Sequence, residues 1–251
     1  MSRYALELSY DGTQYHGWQM QDNAVTVQET LAIGLSTILR SEIAITGCGR
    51  TDTGVHASHF VAHFDHDQEL VPNFIHRLNG VLPDDIGILN AFAVPNDFNA
   101  RFDAKSRTYV YHILTHRHPF KRAYAYLYHR HLDMEAMNSA CKVLMQYEEF
   151  GAFCKSNAQN KTNRCLITES SWSKTAYGLE FRITADRFLR NMVRAIVGTL
   201  IEIGENKIEL DGLERIIESQ NRQQAGYSVP AKGLFLHRIE YDRSNWKPIE
   251  K

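Results

Sequence analysis

The order of the predicted strands and helices constrains the fold of this sequence more than any other feature. Alternating apolar and polar residues predict a first strand over residues 4–10, and two later strands, 166–174 and 179–184, are separated by only a short link. Strands joined by short links pair antiparallel, whereas regular strand–helix–strand alternation is typical of parallel nucleotide-binding sheets. The pattern therefore predicts an α+β fold with mainly antiparallel sheets and helices packed on them.

Capping residues predict where several helices begin and end. Thr26, followed by Glu29, forms a capping box before an apolar stripe that consists of Val27, Leu31, Leu35, Ile38 and Leu39. Asp133 is predicted to cap a second helix, with Met134, Met137, Cys141 and Leu144 facing inward. The pair Asn79-Gly80 predicts the end of a short helix.

A turn-rich segment, Pro95-Asn96-Asp97-Phe98-Asn99, is the best candidate for a boundary within the chain. A length of 251 residues suits one large domain or two modest ones. We predict an N-terminal α+β half over residues 1–100 and a C-terminal α+β half over residues 101–251.

Hydropathy and cysteine spacing indicate a cytoplasmic protein. The longest apolar window, 192–203, falls in a helix predicted over 188–203, and Arg194 and Glu202 interrupt it, so it is too short and too charged to span a bilayer. Residues 1–4 lead directly into a strand pattern without an apolar signal core. The four cysteines form no C-x-x-C pair, which favours reduced thiols over disulfides.

Positive charge is concentrated in one part of the sequence although the net charge is −1. Between residues 101 and 131, Asp103 is accompanied by seven basic residues: Arg101, Lys105, Arg107, Arg117, Lys121, Arg122 and Arg130. Histidines and tyrosines are interleaved with them. A basic face with aromatic rings suits a phosphate backbone with exposed bases, and a solvated, well-paired surface is the alternative interpretation.

The most unusual stretch is Gly47-Cys48-Gly49-Arg50-Thr51-Asp52-Thr53-Gly54-Val55-His56-Ala57. Its three glycines directly after a strand permit positive φ angles or a close approach of the backbone to a ligand. An ionised Asp52 on such a loop can act as a nucleophile or a base. The alternative is an ordinary turn in which Asp52 accepts hydrogen bonds from nearby amides.

The same stretch resembles the catalytic signature of the tRNA pseudouridine synthase A family. Further blocks resemble that family in its order over nearly the whole chain: Tyr10-Asp11-Gly12, Tyr15-x-Gly17-Trp18-Gln19, Leu78-Asn79-Gly80-Val81-Leu82-Pro83-Asp84-Asp85-Ile86, Asp97-Phe98-x-Ala100-Arg101-Phe102, Ser106-Arg107-Thr108-Tyr109-x-Tyr111, Phe188-Leu189-Arg190-Asn191-Met192-Val193-Arg194 and Ala231-Lys232-Gly233-Leu234. Thr53 stands where alanine is usual, and Val229 lies in a segment that usually has smaller residues. Neither departure removes a catalytic group.

The resemblance implies a fold, a reaction and a partner. Members have two similar α+β halves with a basic catalytic cleft between them, act as homodimers, and bind tRNA. They isomerise uridine to pseudouridine at positions 38, 39 and 40 of the anticodon stem-loop without a cofactor or a metal. The N1–C1′ bond breaks and a C5–C1′ bond forms after the base rotates.

The resemblance also implies roles for individual residues. Asp52 falls on the aspartate nucleophile, and Arg194 on the basic residue that pairs with it. Four residues are expected to bind substrate: Tyr109 packs against the target base, Arg50 helps to displace the target nucleotide, and Arg107 and Tyr111 belong to the same motif as Tyr109. A flipped base costs a few kcal/mol of unstacking. Ionised Asp52 could add to the sugar or to the base, or take a proton from C2′.

The sequence is also compatible with two other classes of function. A non-catalytic RNA-binding module or chaperone could keep the fold and the basic cleft without needing the carboxylate. A metal-dependent hydrolase could use His59, His63 and His66, although His66 falls on the opposite strand face from the other two. Trp18 lies in a signature segment, where it either packs in the core or faces RNA.

Overall fold

The computed structural model describes residues 1–155 and 161–249, which form two compact units. The first unit comprises Met1–Lys105 together with the segment from Leu236 onward, and the second comprises Ser106–Phe235. The division therefore lies five positions beyond the boundary predicted after residue 100, and the C-terminal segment packs with the first unit. That the two halves are separate functional domains stays a prediction.

The described residues contain both strands and α-helices in irregular order. Along the first half these are β1 (Ser2–Tyr10), α1 (Val27–Leu39), β2 (Ile45–Gly47), β3 (His56–His66), α2 (Phe74–Val81) and β4 (Ile86–Val94). There follow β5 (Ser106–Leu114), β6 (Tyr126–Leu127), α3 (Met134–Leu144), β7 (Ile167–Thr175), β8 (Gly178–Ala185), α4 (Met192–Gly204), α5 (Leu210–Ser219), β9 (Leu234–Glu240) and β10 (Lys247–Pro248).

In the first unit, β1 is the central strand of an antiparallel arrangement. It pairs with β3 on one side and with β4 on the other, so that Leu6 lies opposite Ala62 and Ala91. Strand β2 pairs antiparallel with β3, and β10 with β4. Leu6 and Leu8 are completely buried, as predicted, but Ala5 and Glu7 on the other face of the strand are buried as well.

In the second unit, β8 pairs antiparallel with both β5 and β7. The short β6 is parallel to the end of β5. Helix α3 is tied to this sheet by Asn138, whose side chain bonds both backbone groups of Trp172, with Trp172 N donating at 2.8 Å and Asn138 Nδ2 donating to Trp172 O at 3.2 Å. The mainly antiparallel α+β architecture predicted from the sequence is confirmed.

Local capping signals place two helices correctly. The Thr26 hydroxyl accepts a hydrogen bond from Glu29 N at 3.3 Å, and α1 follows directly. The Asp133 carboxylate accepts from Glu135 N and Ala136 N at 2.9 and 3.0 Å, which starts α3. Among the described residues no helix is both long enough and apolar enough to cross a bilayer.

One predicted helix start is wrong because of an asparagine. Helix α4 begins at Met192 and not at residue 188, because Asn191 adopts a left-handed backbone with φ of 66°. Helix α2 ends at Val81, one residue after the predicted Asn79-Gly80. The Asn79 side chain bonds both backbone groups of Ile88, at 2.7 and 3.0 Å, and so joins the end of α2 to β4.

A buried carboxylate links the strands of the first unit. Glu7 on β1 accepts hydrogen bonds from Asn90 Nδ2 at 2.7 Å, from His59 Nε2 at 3.1 Å, and from Arg243. His59 Nδ1 accepts from Ile239 N at 3.2 Å, so the proton of a neutral ring lies on Nε2 and is donated to Glu7. Burial by itself raises the pKa of Glu7, but these hydrogen bonds and the charge of Arg243 outweigh burial and lower the pKa to about 2.

We predict that Glu7 makes stability dependent on pH. Because its pKa falls from the ordinary 4.5 to about 2 on folding, ionised Glu7 stabilises the protein above pH 4.5, and this contribution is lost as the pH falls toward 2. The shift corresponds to about 3 kcal/mol. The difference in urea-unfolding free energy between wild type and Glu7→Gln should therefore shrink by about 3 kcal/mol between pH 5 and pH 2. Exposed Glu69→Gln is the control, and a constant difference for Glu7→Gln would contradict the prediction.

Candidate active site

The glycine-rich stretch forms the loop between β2 and β3 in the first unit. Cys48 N donates to Val61 O at 2.8 Å, which returns the chain alongside β3. Val55 N donates to Asp52 O at 3.1 Å and closes a tight turn, in which Gly54 has a φ of 74°. The glycine prediction is confirmed here, since this left-handed backbone is costly for other residues.

Residues on both sides of Asp52 are held by the segment that follows β1. Thr51 is buried, and its Oγ1 lies 2.9 Å from Tyr10 Oη in a hydroxyl–hydroxyl hydrogen bond. Its carbonyl oxygen accepts from Trp18 N at 3.3 Å. On the other side, Gly54 N donates to Tyr15 O at 3.3 Å. The backbone of the Asp52 turn is thereby fixed at both ends.

The segment that follows β1 packs so closely on the Asp52 turn that two of its positions have no room for a side chain. A Cβ atom at Gly12 would lie 2.0 Å from Val55 O, and one at Gly17, where φ is 88°, would lie 2.3 Å from Thr51 O. Real Cβ atoms do not approach oxygen so closely, so both positions require glycine. The glycines in Tyr10-Asp11-Gly12 and Tyr15-x-Gly17 therefore serve the loop that carries Asp52.

Trp18 has a packing role in this arrangement. It is 2% exposed, and its ring stacks on Phe60 with a centroid distance of 4.0 Å. A Cβ at Gly47 would lie 2.5 Å from the indole ring, so Gly47 is also needed for this close packing. Of the two alternatives for Trp18, the structure supports the core.

The two functional candidates on the loop keep access to solvent. Asp52 is half-buried, and Arg50 is exposed. The loop thus combines a backbone that is bonded on both sides with an aspartate that is only partly buried. Such an arrangement suits a nucleophile or base, because the reacting group does not have to be ordered during the reaction.

In the second unit, β5 places Tyr109 and Tyr111 in different environments. Tyr109 is half-buried, and its ring meets Phe188 edge to face at a centroid distance of 5.2 Å and an angle of 90°. Tyr111 is completely buried and donates from its hydroxyl to Pro230 O at 2.9 Å. Burial also raises the pKa of Tyr111, which keeps its hydroxyl protonated. Direct contact between Tyr111 and a substrate stays a prediction.

The two arginines predicted for the second unit both bind backbone carbonyls. Arg107 Nη1 donates to Asp186 O at 2.6 Å. Arg194 lies in the first turn of α4, and its Nε donates to Val229 O at 2.8 Å. Val229 N in turn donates to Arg194 O at 3.2 Å. Each guanidinium therefore donates a hydrogen bond to a backbone carbonyl of its own unit, which helps to orient it.

The basic stretch between residues 101 and 131 is partly paired and partly exposed. Arg130 is bonded to Glu205 at 2.9 Å, and Lys105 lies 3.7 Å from Asp242. Arg117 is exposed, as is Lys121, whose ammonium lies 5.9 Å from the ring centre of Tyr177. Phe120 beside it is 87% exposed. The part of this stretch around residues 117–122 thus presents both cations and an apolar ring to solvent.

Two histidines of β3, His59 and His63, have structural partners in the first unit. His59 bonds Glu7, and His63 Nδ1 accepts from Ala100 N at 3.1 Å. Burial, together with the nearby charge of Arg3, lowers the pKa of His63. Within residues 1–155 and 161–249, no group of three or more His, Cys, Asp or Glu side chains has the arrangement of a metal site.

Comparison with known proteins identifies the family. A family described as tRNA pseudouridine synthase matches residues 8–103 and 140–242. A tRNA pseudouridine synthase A of Bacteroides fragilis is 48% identical over 244 residues, covering 96% of this chain and 97% of the relative. Proteins of the same name from Clostridium acetobutylicum and Bacillus subtilis are 42% and 38% identical, over 96% of this chain and 100% and 99% of their own lengths. The chain belongs to the tRNA pseudouridine synthase family.

Proposed function

We propose that this protein isomerises uridine to pseudouridine at positions 38, 39 and 40 of the tRNA anticodon stem-loop, with Asp52 as the nucleophile. Family membership supplies the reaction class and the tRNA substrate. The observation that carries the role of Asp52 is its turn, which Tyr10, Trp18 and Tyr15 hold through Thr51 and Gly54. Asp52 on this turn is only partly buried.

The reaction changes which atom of the uracil base is bonded to C1′ of the sugar. The N1–C1′ bond breaks, the base rotates, C5 bonds to C1′, and the proton on C5 is released while N1 gains one. The target base must leave the stack before any of these steps, at a cost of a few kcal/mol. We propose that Arg50 occupies the vacated position in the RNA and that Tyr109 stacks on the flipped base.

Arg194 is proposed as the basic residue that pairs with the Asp52 carboxylate during the reaction. The carbonyl of Val229, which accepts from Arg194 Nε, supports this role because it orients the guanidinium. Arg107 is proposed to contact the substrate near Tyr109. Tyr111 is proposed to support that binding through its bond to Pro230 O.

The proposal includes a cytoplasmic homodimer that binds tRNA without a cofactor. Similarity to the family supports the dimer, and four buried cysteines that form no disulfide suit a reducing compartment. The exposed cations and ring around residues 117–122 support a contact with RNA in the second unit.

We predict that Asp52→Asn abolishes turnover but not binding. Tritium release from transcripts labelled at uridine C5 should fall by about a thousandfold or more, because the amide cannot act as a nucleophile. The affinity for tRNA should stay within about tenfold. Asp84→Asn, which removes an exposed carboxylate of the same unit, is the control and should release tritium like the wild type.

A second transcript, with cytidine at positions 38, 39 and 40, tests the site of modification. Release by the wild type should disappear with this transcript. Equal losses of affinity and turnover in Asp52→Asn would instead assign the residue a structural role. No release by the wild type, with tRNA binding intact, would favour the RNA-binding module.

We predict that the ring of Tyr109, and not its hydroxyl, contributes most to substrate binding. Stacking of a base on an aromatic ring contributes about 1–3 kcal/mol. Tyr109→Leu should therefore lower kcat/KM between about fivefold and about 150-fold, whereas Tyr109→Phe keeps the ring and its contact with Phe188 and should lose far less. A loss for Tyr109→Phe equal to that for Tyr109→Leu would show that the hydroxyl is the important group.

We predict that tRNA binding depends on salt partly through Arg117 and Lys121. Each phosphate contact contributes about 0.9 to the slope of log K against log salt concentration. Replacing both residues by glutamine should reduce that slope by about 1 to 2. Lys142→Gln, which removes an exposed lysine on α3, should leave the slope unchanged. An unchanged slope in the double variant would remove this surface from the RNA contact.

A further inference from the structure

A segment of the second unit, residues 225–230, lies directly against the first turns of α4. Gly226 N donates to Thr199 Oγ1 at 2.9 Å, and a Cβ atom at Gly198 would lie 1.8 Å from Tyr227 O. The helix must therefore have glycine at position 198 for the segment to approach. We call residues 225–230 the strap.

Ser228 in the middle of the strap accepts hydrogen bonds from two side chains that lie in separate parts of the chain. Asn191 Nδ2 donates to Ser228 Oγ at 2.6 Å, and Arg222 Nη2 donates to the same oxygen at 2.9 Å. Arg222 Nη1 also donates to the carbonyls of Ala225 and Gly226, at 3.2 and 3.0 Å. One guanidinium thus bonds three positions of the strap, which suits its planar, multiple-donor shape.

Asn191 has an unusual position for this role. It is the residue before α4 and has a left-handed backbone, which asparagine tolerates better than most residues. Its side chain makes no capping hydrogen bond to the helix, although asparagine is a common capping residue. It bonds Ser228 instead, so the start of α4 and the strap are joined directly.

The residue after Ser228 is the one that orients Arg194. Val229 is completely buried, and its backbone bonds Arg194 twice: Val229 N donates to Arg194 O at 3.2 Å, and Val229 O accepts from Arg194 Nε at 2.8 Å. Because a guanidinium is planar, a fixed Nε–H direction limits where its two terminal nitrogens can point. The hydrogen bonds that Asn191 and Arg222 donate to Ser228, one residue earlier, in turn fix the position of the Val229 carbonyl.

We propose that Arg222, acting through Ser228 and the Val229 carbonyl, is a positioning residue for Arg194. The inference rests on the proposed function, in which Arg194 serves the reaction. Arg222 lies outside every motif on which the family resemblance depends. The hydrogen bonds of its side chain go to Ala225, Gly226 and Ser228, which all belong to the strap. Its removal should therefore disturb the orientation of Arg194 more than the fold of the unit.

The test is a double-mutant cycle on the steady-state kinetics of tritium release. Arg222→Gln should lower kcat about 10- to 100-fold with KM nearly unchanged, since a displacement of about 1 Å can cost that much. In an Arg194→Gln background the same substitution should cause no further loss, because the group it positions is gone. Arg222→Lys keeps the charge without the planar fork and should recover little activity. Arg215→Gln, on the exposed face of α5, is the matched control and should leave kcat unchanged.

A second measurement reports the orientation of Arg194 without activity. In protein labelled with ¹⁵N-arginine, the Nε–H of Arg194 should exchange with solvent about tenfold or more faster in Arg222→Gln and in Ser228→Ala than in the wild type or in Arg215→Gln. Unchanged exchange in both variants would overturn the positioning role, and so would equal losses of kcat in the two backgrounds. If Arg194→Gln has full activity, the proposed role of Arg194 fails, and the exchange rates alone then decide whether Arg222 orients it.

Discussion

The close packing of one backbone segment on another in the first unit determines where Asp52 lies. Residues 10–18 approach residues 51–55 so closely that Gly12 and Gly17 have no room for a Cβ atom. The first of these segments begins at the end of β1, which pairs with strands on both sides in the first unit. A displacement of β1 therefore moves the loop, and the apolar core that holds β1 also holds the candidate nucleophile.

In the second unit, close packing of backbone segments also determines the position of Arg194. A loop segment lies against a helix at a glycine, Gly198, and a backbone carbonyl of that segment orients a charged side chain. Each hydrogen bond in such an arrangement contributes only about 1 kcal/mol to stability. Their main effect is on geometry, because several bonds to consecutive residues leave the segment one conformation. Polar groups that stabilise the fold little can in this way determine the rate of a reaction.

Part of the fold follows from local patterns. The strand over residues 4–10 and the caps at Thr26 and Asp133 were predicted correctly, since a capping side chain bonds an amide only two or three residues further along the chain. The start of α4 was wrong, because hydrophobic periodicity reports which face is buried and does not report that Asn191 adopts a positive φ. The pair Asn79-Gly80 predicted the end of α2 to within one residue, but not that the Asn79 side chain bonds Ile88 of the next strand.

For the candidate site, the motifs identified which residues to consider and the family to which the chain belongs. They did not indicate how those residues are held. Tyr111 stands two positions from Tyr109 in one motif, yet it is buried and bonds a carbonyl 119 positions away. Arg222 stands in no motif and bonds the strap that orients Arg194. Residue types and short spacings are properties of the sequence itself, whereas burial and long-range hydrogen bonds exist only after distant segments have packed together.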